Sequence, residues 1–303
     1  MKIFPFLFMI AVTAISAAQE QSHHSVLFIS DSQEPLWVET LRLREDHNEA
    51  AAQKLFVAMS KETTATALFH LGDITGMGML PGYWRSFDTL RTLIPFPIYP
   101  VFGNHEYFFI ASLGKEQTLK RFPFLEPSWY LKRTGNIAVV LLNSNFSQLS
   151  DDEITAQQTW YTNTLNALEN DSTVRAIIVG CHHSPFTNST IVESNPDVQR
   201  RFAAPFKQYS KTKLFISGHA HTYEHFISDG KDFLVIGGGG GLLHPLKDST
   251  ESQWTDLAPK KSEKKFFHYI YCELQENSIV IRVKMLNKDF SGITVADEIV
   301  IHE

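Results

Sequence analysis

The stretch IYPVFGNHE, residues 98–106, decides the fold class of this chain. An apolar run typical of a strand ends at Gly103, and an amide, an imidazole and a carboxylate follow at once. The stretch KLFISGHAH, residues 213–221, has the same form and ends in two histidines after Gly218. Because polar sites of α/β sheets lie at the carboxyl ends of the strands, both stretches predict α/β strands that lead into a functional site.

Three further apolar runs end in the same way. Residues 26–30 lead into Asp31-Ser32-Gln33, residues 66–71 lead into Gly72-Asp73, and residues 175–181 lead into His182-His183-Ser184-Pro185. If all five strands belong to one sheet, their ends bring these polar residues together.

The segments between and after these strands predict an α/β chain with added antiparallel strands. Helices are predicted over residues 45–61, 84–93, 151–169 and 196–209. A hairpin is predicted over residues 129–133 and 136–142, with later strands over residues 233–236, 266–272, 278–286 and 293–301. No linker or shift in composition indicates a boundary between two domains.

The residue types at the strand ends indicate a metal centre. Carboxylates, amide oxygens and imidazoles form a mixed oxygen and nitrogen set, which suits Mn, Fe, Zn or Co better than a thiolate-bound structural zinc. About seven candidate ligands exceed what one tetrahedral ion needs, so two ions that share a carboxylate are expected. Asp31 and Gln33, like His219 and His221, are spaced to project from an extended backbone to the same side.

With these motifs in order, the sequence resembles the calcineurin-like metallophosphoesterases, including the purple-acid-phosphatase-like branch. The resemblance runs from about Val26 to the C-terminus and implies a four-layer αββα sandwich with a two-metal centre. Residues 19–303 are then one catalytic domain. The implied activity is hydrolysis of phosphomonoesters by in-line attack of a metal-bridging hydroxide.

The resemblance also implies a role for each motif residue. One metal would be held by Asp31, Gln33 and His221, the other by Asn104, His182 and His219, and Asp73 would bridge them. His105 would stand beside the leaving group as the catalytic histidine. A His-x-Pro reading selects His183 in place of His182 as the ligand. His183 and His225 are also candidates for contact with the substrate.

Two positions depart from the family pattern. Gln33 stands where many members have histidine, and an amide oxygen is a weaker donor than imidazole. Gly76 stands where the purple enzymes have a metal-bound tyrosine, so no tyrosinate–iron colour is expected.

Two other functions stay open at this point. A phosphodiesterase acting on nucleotides or lipid head groups could use the same centre, because that choice depends on loops beyond the metal ligands. A metal- or phosphate-binding protein without turnover is the alternative from another class, and Gln33 is the feature in its favour.

The N-terminus predicts a signal peptide over residues 1–18, with a positive start, an apolar run over residues 3–15 and small residues before Gln19. A secreted or periplasmic protein is therefore expected, with no membrane span in the mature chain because no later segment is long and apolar enough. The formal net charge of −6 argues against a nucleic-acid coat function. The expected partner is a small phosphate ester, and the sequence carries no signal for an oligomeric state.

Overall fold

The structure is a computed structural model that describes residues 25–44, 47–259 and 265–302. The predicted signal peptide lies outside these residues. The strands are β1 (Ser25–Ile29), β2 (Ala65–His70), β3 (Ile98–Pro100), β4 (Tyr130–Thr134), β5 (Ile137–Leu141), β6 (Ala176–Cys181), β7 (Thr212–Ser217), β8 (Tyr223–Ser228), β9 (Lys231–Ile236), β10 (His268–Leu274), β11 (Ser278–Leu286) and β12 (Ile293–His302). The α-helices are α1 (Trp37–Thr40), α2 (Asn48–Met59), α3 (Trp84–Leu90), α4 (Ala111–Arg121), α5 (Asp151–Asn170), α6 (Pro196–Val198) and α7 (Ala204–Phe206).

The described strands form two six-stranded sheets. The first sheet has the order β12-β11-β10-β1-β2-β3, and the second has the order β4-β5-β6-β7-β9-β8. Strands β1, β2 and β3 are parallel to one another, as are β5, β6, β7 and β9. Each sheet therefore presents a row of carboxyl ends at one edge, where a site can form.

The two sheets pack face to face with helices on both outer sides. Alternate residues of a strand point to opposite faces, so Val26 and Phe28 of β1 join a core shared with the second sheet. Leu27 and Ile29 of the same strand pack with helices α2 and α3. In the second sheet, Ala138 of β5 packs in the same way with the buried side of α5. The layers run helix, sheet, sheet, helix, and the predicted αββα sandwich is confirmed.

Helix α5 shows how local sequence sets an element. Ser150 caps its N-terminus by accepting a hydrogen bond from the Glu153 backbone N–H, and Glu153 accepts one from the backbone N–H of Ser150 in return. Such a reciprocal capping box satisfies two donors that the first turn leaves without partners. Three acidic residues in that turn also suit the positive end of the helix dipole.

The structure corrects three expectations about the elements. The five site-bearing strand ends come from two sheets, because β1, β2 and β3 belong to the first sheet and β6 and β7 to the second. The helix predicted over residues 196–209 is α6, a turn of π-helix over Gln199–Ala203 and α7. Helix α4 and strand β8 were not predicted, since α4 has few apolar residues and β8 follows the site directly.

Two further features concern the cysteines and the helices. Cys181 and Cys272 are buried free thiols, and burial raises the pKa of both. Among the described helices, none combines the length and apolar character that crossing a bilayer requires.

Candidate active site

The predicted site residues converge where the carboxyl ends of the two sheets meet. Asp31 and Gln33 follow β1, Asp73 follows β2, and Asn104 and His105 follow β3. The second sheet adds the residues that follow β6 and β7, which are His182, His183, His219 and His221. Asp31, Gln33, Asp73 and His182 are at most 1% exposed, so their polar atoms depend on one another rather than on water.

One group of side chains gathers around Asp31. His221 Nε2 lies 3.3 Å from Asp31 Oδ1, and His221 Nδ1 donates to the backbone oxygen of Leu242 at 2.8 Å. The Gln33 amide nitrogen donates to the backbone oxygens of Asp31 and Asp73 at 3.3 and 3.0 Å, which turns its amide oxygen toward His221 Nε2 at 3.3 Å. A carboxylate, an amide oxygen and an imidazole thus face one point.

A second group gathers around His182. Its Nδ1 bonds to the backbone oxygen of Leu71 at 2.8 Å, which fixes the direction of Nε2. His182 Nε2 lies 3.0 Å from Asn104 Oδ1 and 3.2 Å from His219 Nδ1.

Asp73 connects the two groups. Its Oδ2 is 3.3 Å from His182 Nε2, and single ligand atoms of Asp31, Asp73 and His182 all lie within 4.8 Å of one another. Burial acts to raise the pKa of the Asp73 carboxyl, but His182 and His105 hold this pKa well below its usual range. Burial acts to lower the pKa of His182, yet the charge of Asp73 raises it to about 9. These directions show that the Asp73 carboxylate and the His182 imidazole each stabilise the charged form of the other.

His105 stands at the edge of this cluster. Its Nδ1 donates to the backbone oxygen of Gly76 at 2.7 Å, so Nε2 is the atom that faces the centre. His105 Nε2 lies 3.8 Å from Asp73 Oδ2 and 3.9 Å from Glu39 Oε1. Burial opposes the charged form, but Asp73, the Gly76 carbonyl and Glu39 together raise the pKa of His105 above its ordinary value.

The backbone is strained where it presents these side chains. Asp31, Asp73 and His219 have φ values of 58°, 50° and 68°, in the left-handed region that L-residues rarely adopt. Such strain persists where the surrounding structure fixes it, and it clusters at functional sites. A Cβ at Gly103 would lie 2.1 Å from Asp73 Oδ1, so the glycine lets the β3 loop pass against the carboxylate.

The two histidines that were candidates for substrate contact, His183 and His225, lie in different surroundings. His183 Nδ1 lies 2.9 Å from Ser144 Oγ, and its ring packs on His219 with centroids 4.5 Å apart. His225 lies on β8, where its Nε2 pairs with Asp232 Oδ1 at 2.7 Å. The described polar contacts of His225 do not join it to the cluster.

Three neighbours of the candidate site residues were given no definite role from the sequence. Glu39 reaches His105 from the short helix α1. His244 stacks on the ligand candidate His221 with centroids 4.3 Å apart, and its Nδ1 accepts from the His221 backbone N–H at 3.2 Å. The glycine run 237–241 is buried against the β1 loop, where the Gly241 N–H donates to the Asp31 backbone oxygen at 2.8 Å. The run itself was the available signal, since glycines after a strand mark close backbone approach.

The comparisons with known proteins agree with this geometry. The sequence profile of the calcineurin-like phosphoesterase family matches residues 24–223. Purple acid phosphatase 1 of Ipomoea batatas is 23% identical over 177 residues, which are 52% of this chain and 36% of that protein. The chain therefore spans about a third of the length of this curated relative.

Two solved structures share the fold. GAP50, the anchor in the inner membrane complex of Plasmodium, superposes with a TM-score of 0.69 at 15% identity, covering 92% of this chain and 89% of GAP50. A dimetal phosphatase from Danio rerio superposes with a TM-score of 0.62 at 14% identity, covering 92% of this chain and 98% of that one. The family profile covers most of the chain and spans all five site-bearing strand ends up to His221. The chain belongs to the calcineurin-like phosphoesterase family.

Proposed function

We propose that the protein is a two-metal-dependent phosphoesterase that hydrolyses phosphomonoesters. The observation that carries this proposal is the convergence of oxygen and nitrogen donors from five strand ends on one buried centre. Phosphomonoesters are favoured because a purple acid phosphatase and a dimetal phosphatase are among the proteins similar to this chain.

The side chains present fit a pair of metal ions. Donor atoms in each group lie 3.0 to 3.3 Å apart, which is the spacing expected of neighbouring ligands about 2 Å from one ion. We assign Asp31, Gln33 and His221 to one ion, Asn104, His182 and His219 to the other, and Asp73 to both. The mixed donor set supports Fe, Mn, Zn or Co.

His182 is the proposed ligand, in preference to His183. Its Nε2 lies between Asn104 and His219, while its Nδ1 is fixed on a backbone carbonyl, the usual arrangement of a ligating histidine. His183 is directed to Ser144 through Nδ1 and stands on the outer side of His219. We propose that His183 contacts the substrate, and that His225 is a structural residue paired with Asp232.

When bound, the metal ions supply Lewis-acid activation of water and positive charge for the phosphate oxygens. The protein's own contribution to the chemistry centres on His105. With Nδ1 bonded to Gly76, a protonated His105 carries its second proton on Nε2 and can deliver it to the departing alkoxide oxygen. Glu39 and Asp73 stabilise that protonated form. Most of the polar centre is buried, and water reaches it where Asn104, His105, His183 and His219 are partly exposed.

Export belongs to the proposal as well. The charge and apolar pattern of residues 1–18 supports cleavage after Ala18 and release into the periplasm or the medium. N-terminal sequencing of the protein recovered outside the cytoplasm should begin at Gln19. A retained residue 1 would contradict export by this route.

The function is tested by metal counting and turnover on the same samples. The purified chain is stripped and refilled with Mn, Fe, Zn or Co, then assayed on a phosphomonoester and a phosphodiester. We expect about two ions per chain and restored monoester hydrolysis, whereas Asp73→Asn should lose both. Preferred diester hydrolysis would instead favour the phosphodiesterase alternative. Tight metal binding with no turnover of either ester would favour a metal- or phosphate-binding protein without turnover.

A further inference from the structure

A cavity of about 510 Å³ opens directly beside the proposed metal centre. Asn104 and His183 belong to both the centre and the cavity wall. The rest of the wall includes Phe108, Phe109, Ser147, Gln148, Asn195 and Asp197. Its volume is in the range of sites that hold small organic ligands. A phosphate held at the centre would place its ester group in this cavity.

Two phenylalanines of the cavity wall are exposed to solvent, which is unfavourable for an apolar ring. Phe109 is 74% exposed and Phe108 is 37% exposed, and their rings are 4.5 Å apart. Phe109 also has a φ of 65°, an outlier for a bulky residue. Exposure and strain together indicate that the ring is held out for a purpose other than packing.

The aromatic rings lead from the reacting centre outward. The His105 ring stacks on Phe108 with centroids 5.6 Å apart and an interplanar angle of 29°, and Phe108 then contacts Phe109. His105 is the residue placed at the leaving oxygen. The leaving group therefore departs along a surface on which a flat ring can stack.

The facing wall is polar and carries little net charge. Exposed Ser147 and Gln148 and the half-buried Asn195 bring hydroxyl and amide groups to it. The Asp197 carboxylate is paired with Arg200 and Arg201. A ring with hydrogen-bonding edges and no charge suits this wall better than an anionic group or a plain hydrocarbon ring.

We infer that the cavity binds a nucleobase, and that the substrate class is the nucleoside 5′-monophosphates. This inference rests on the proposed phosphomonoesterase function. In the reaction, the P–O5′ bond breaks, the oxygen of one water forms the new P–O bond, and His105 gives its proton to O5′. The water's proton restores His105 through solvent, so the products are a nucleoside and inorganic phosphate.

The test compares two substrates with the same primary ester. Adenosine 5′-monophosphate carries a base, and ribose 5-phosphate does not. On the metal-loaded full chain we expect kcat/KM to favour the nucleotide by about tenfold or more, as base–aromatic stacking allows. Phe109→Leu keeps an apolar side chain without the ring and should reduce this preference about tenfold. Phe109→Tyr keeps the ring and should retain the preference, and Leu113→Ala, exposed on α4 outside the cavity, is the matched control.

Failure of the nucleobase inference and failure of the phosphomonoesterase proposal give different results. Equal kcat/KM for the two substrates, unchanged by Phe109→Leu, overturns the inference and leaves the phosphomonoesterase intact. Benzyl phosphate is a primary alkyl ester with a plain hydrocarbon ring. A kcat/KM for benzyl phosphate equal to that for the nucleotide overturns the nucleoside assignment. If no monoester is hydrolysed, the proposed function fails. Calorimetry of adenosine binding to the metal-loaded chain then tests whether the cavity binds a nucleobase. Adenosine binding that weakens about tenfold in Phe109→Leu supports a nucleobase site in the cavity, and the absence of any measurable heat of binding overturns it.

Discussion

The buried carboxylate of Glu106 holds the backbone of Asp73. Glu106 Oε2 accepts hydrogen bonds from the N–H groups of Asp73 at 2.9 Å and Gly103 at 2.7 Å, and its Oε1 accepts from Ile74 at 2.8 Å. One side chain thereby ties the loop after β2 to the loop after β3. The final residue of the Gly-Asn-His-Glu motif thus fixes the backbone that carries the proposed metal ligands Asp73 and Asn104.

Replacing Glu106 by Gln should loosen this junction. An amide has a single acceptor oxygen, so at least one backbone N–H is left buried without a partner, at a cost of about 1–3 kcal/mol. We expect a lower denaturant midpoint and fewer retained metal ions. Glu116→Gln, on the exposed side of α4, is the matched control and should change neither. An unchanged midpoint in Glu106→Gln would contradict the clamping role.

Gln33→His should strengthen metal retention. Gln33 is 1% exposed, and its amide oxygen faces His221. An imidazole at this position is a stronger donor to Zn or Fe, so we expect the affinity for one of the two ions to rise about tenfold. Gln33→Leu removes the donor and should leave about one ion per chain. Competition with a chelator measures both, and equal retention in all three proteins would remove Gln33 from the ligand set.

His105→Ala should affect poor leaving groups most. The variant loses the proton donor, so kcat on an alkyl phosphate should fall about 10²–10⁴-fold with metal content unchanged. An aryl phosphate with an acidic leaving group needs less protonation and should lose much less. His302→Ala, at the exposed end of β12, controls for the loss of a histidine. Equal losses on both esters would indicate that His105 orients the phosphate instead.

Glu39→Gln should shift the alkaline side of the pH profile. Asp73 and Glu39 raise the pKa of His105 against the effect of burial. The protonated form is the active acid, so the rate falls as pH rises through this pKa. Removing the Glu39 charge lowers the pKa of His105, so the alkaline limb should move to lower pH. A profile that stays in place would show that Glu39 does not act on His105.

The strand-end residues could be predicted because their position follows from local sequence. Asp31, Asp73 and His219 each come directly after an apolar run, so recognising the strand is enough to place the side chain. The sequence could not show which sheet each strand joins, because the same apolar run suits either face of a two-sheet core. The family resemblance therefore predicted two sheets correctly, whereas the argument from strand ends alone assumed a single sheet and was wrong.

Residues that reach the site from elsewhere carried no such local signal. Glu39 belongs to a helix of four residues, and its approach to His105 is set by how the β1 loop packs. His244 stacks on His221 from 23 residues further along the chain. The exposure of Phe109 is equally invisible in sequence, since a phenylalanine next to a motif is most often part of a core.

The two sheets divide the proposed ligands by element. Every oxygen donor, namely Asp31, Gln33, Asp73 and Asn104, follows a strand of the first sheet, and every nitrogen donor follows a strand of the second. Oxygen donors alone suit Mg or Ca, whereas imidazoles bring the preference for Zn or Fe. Before it packs on the second sheet, the first sheet offers only the oxygen donors of the proposed centre. We therefore expect ions of the borderline class to bind the docked sandwich more tightly than the first sheet by itself, and so to stabilise the sandwich by mass action.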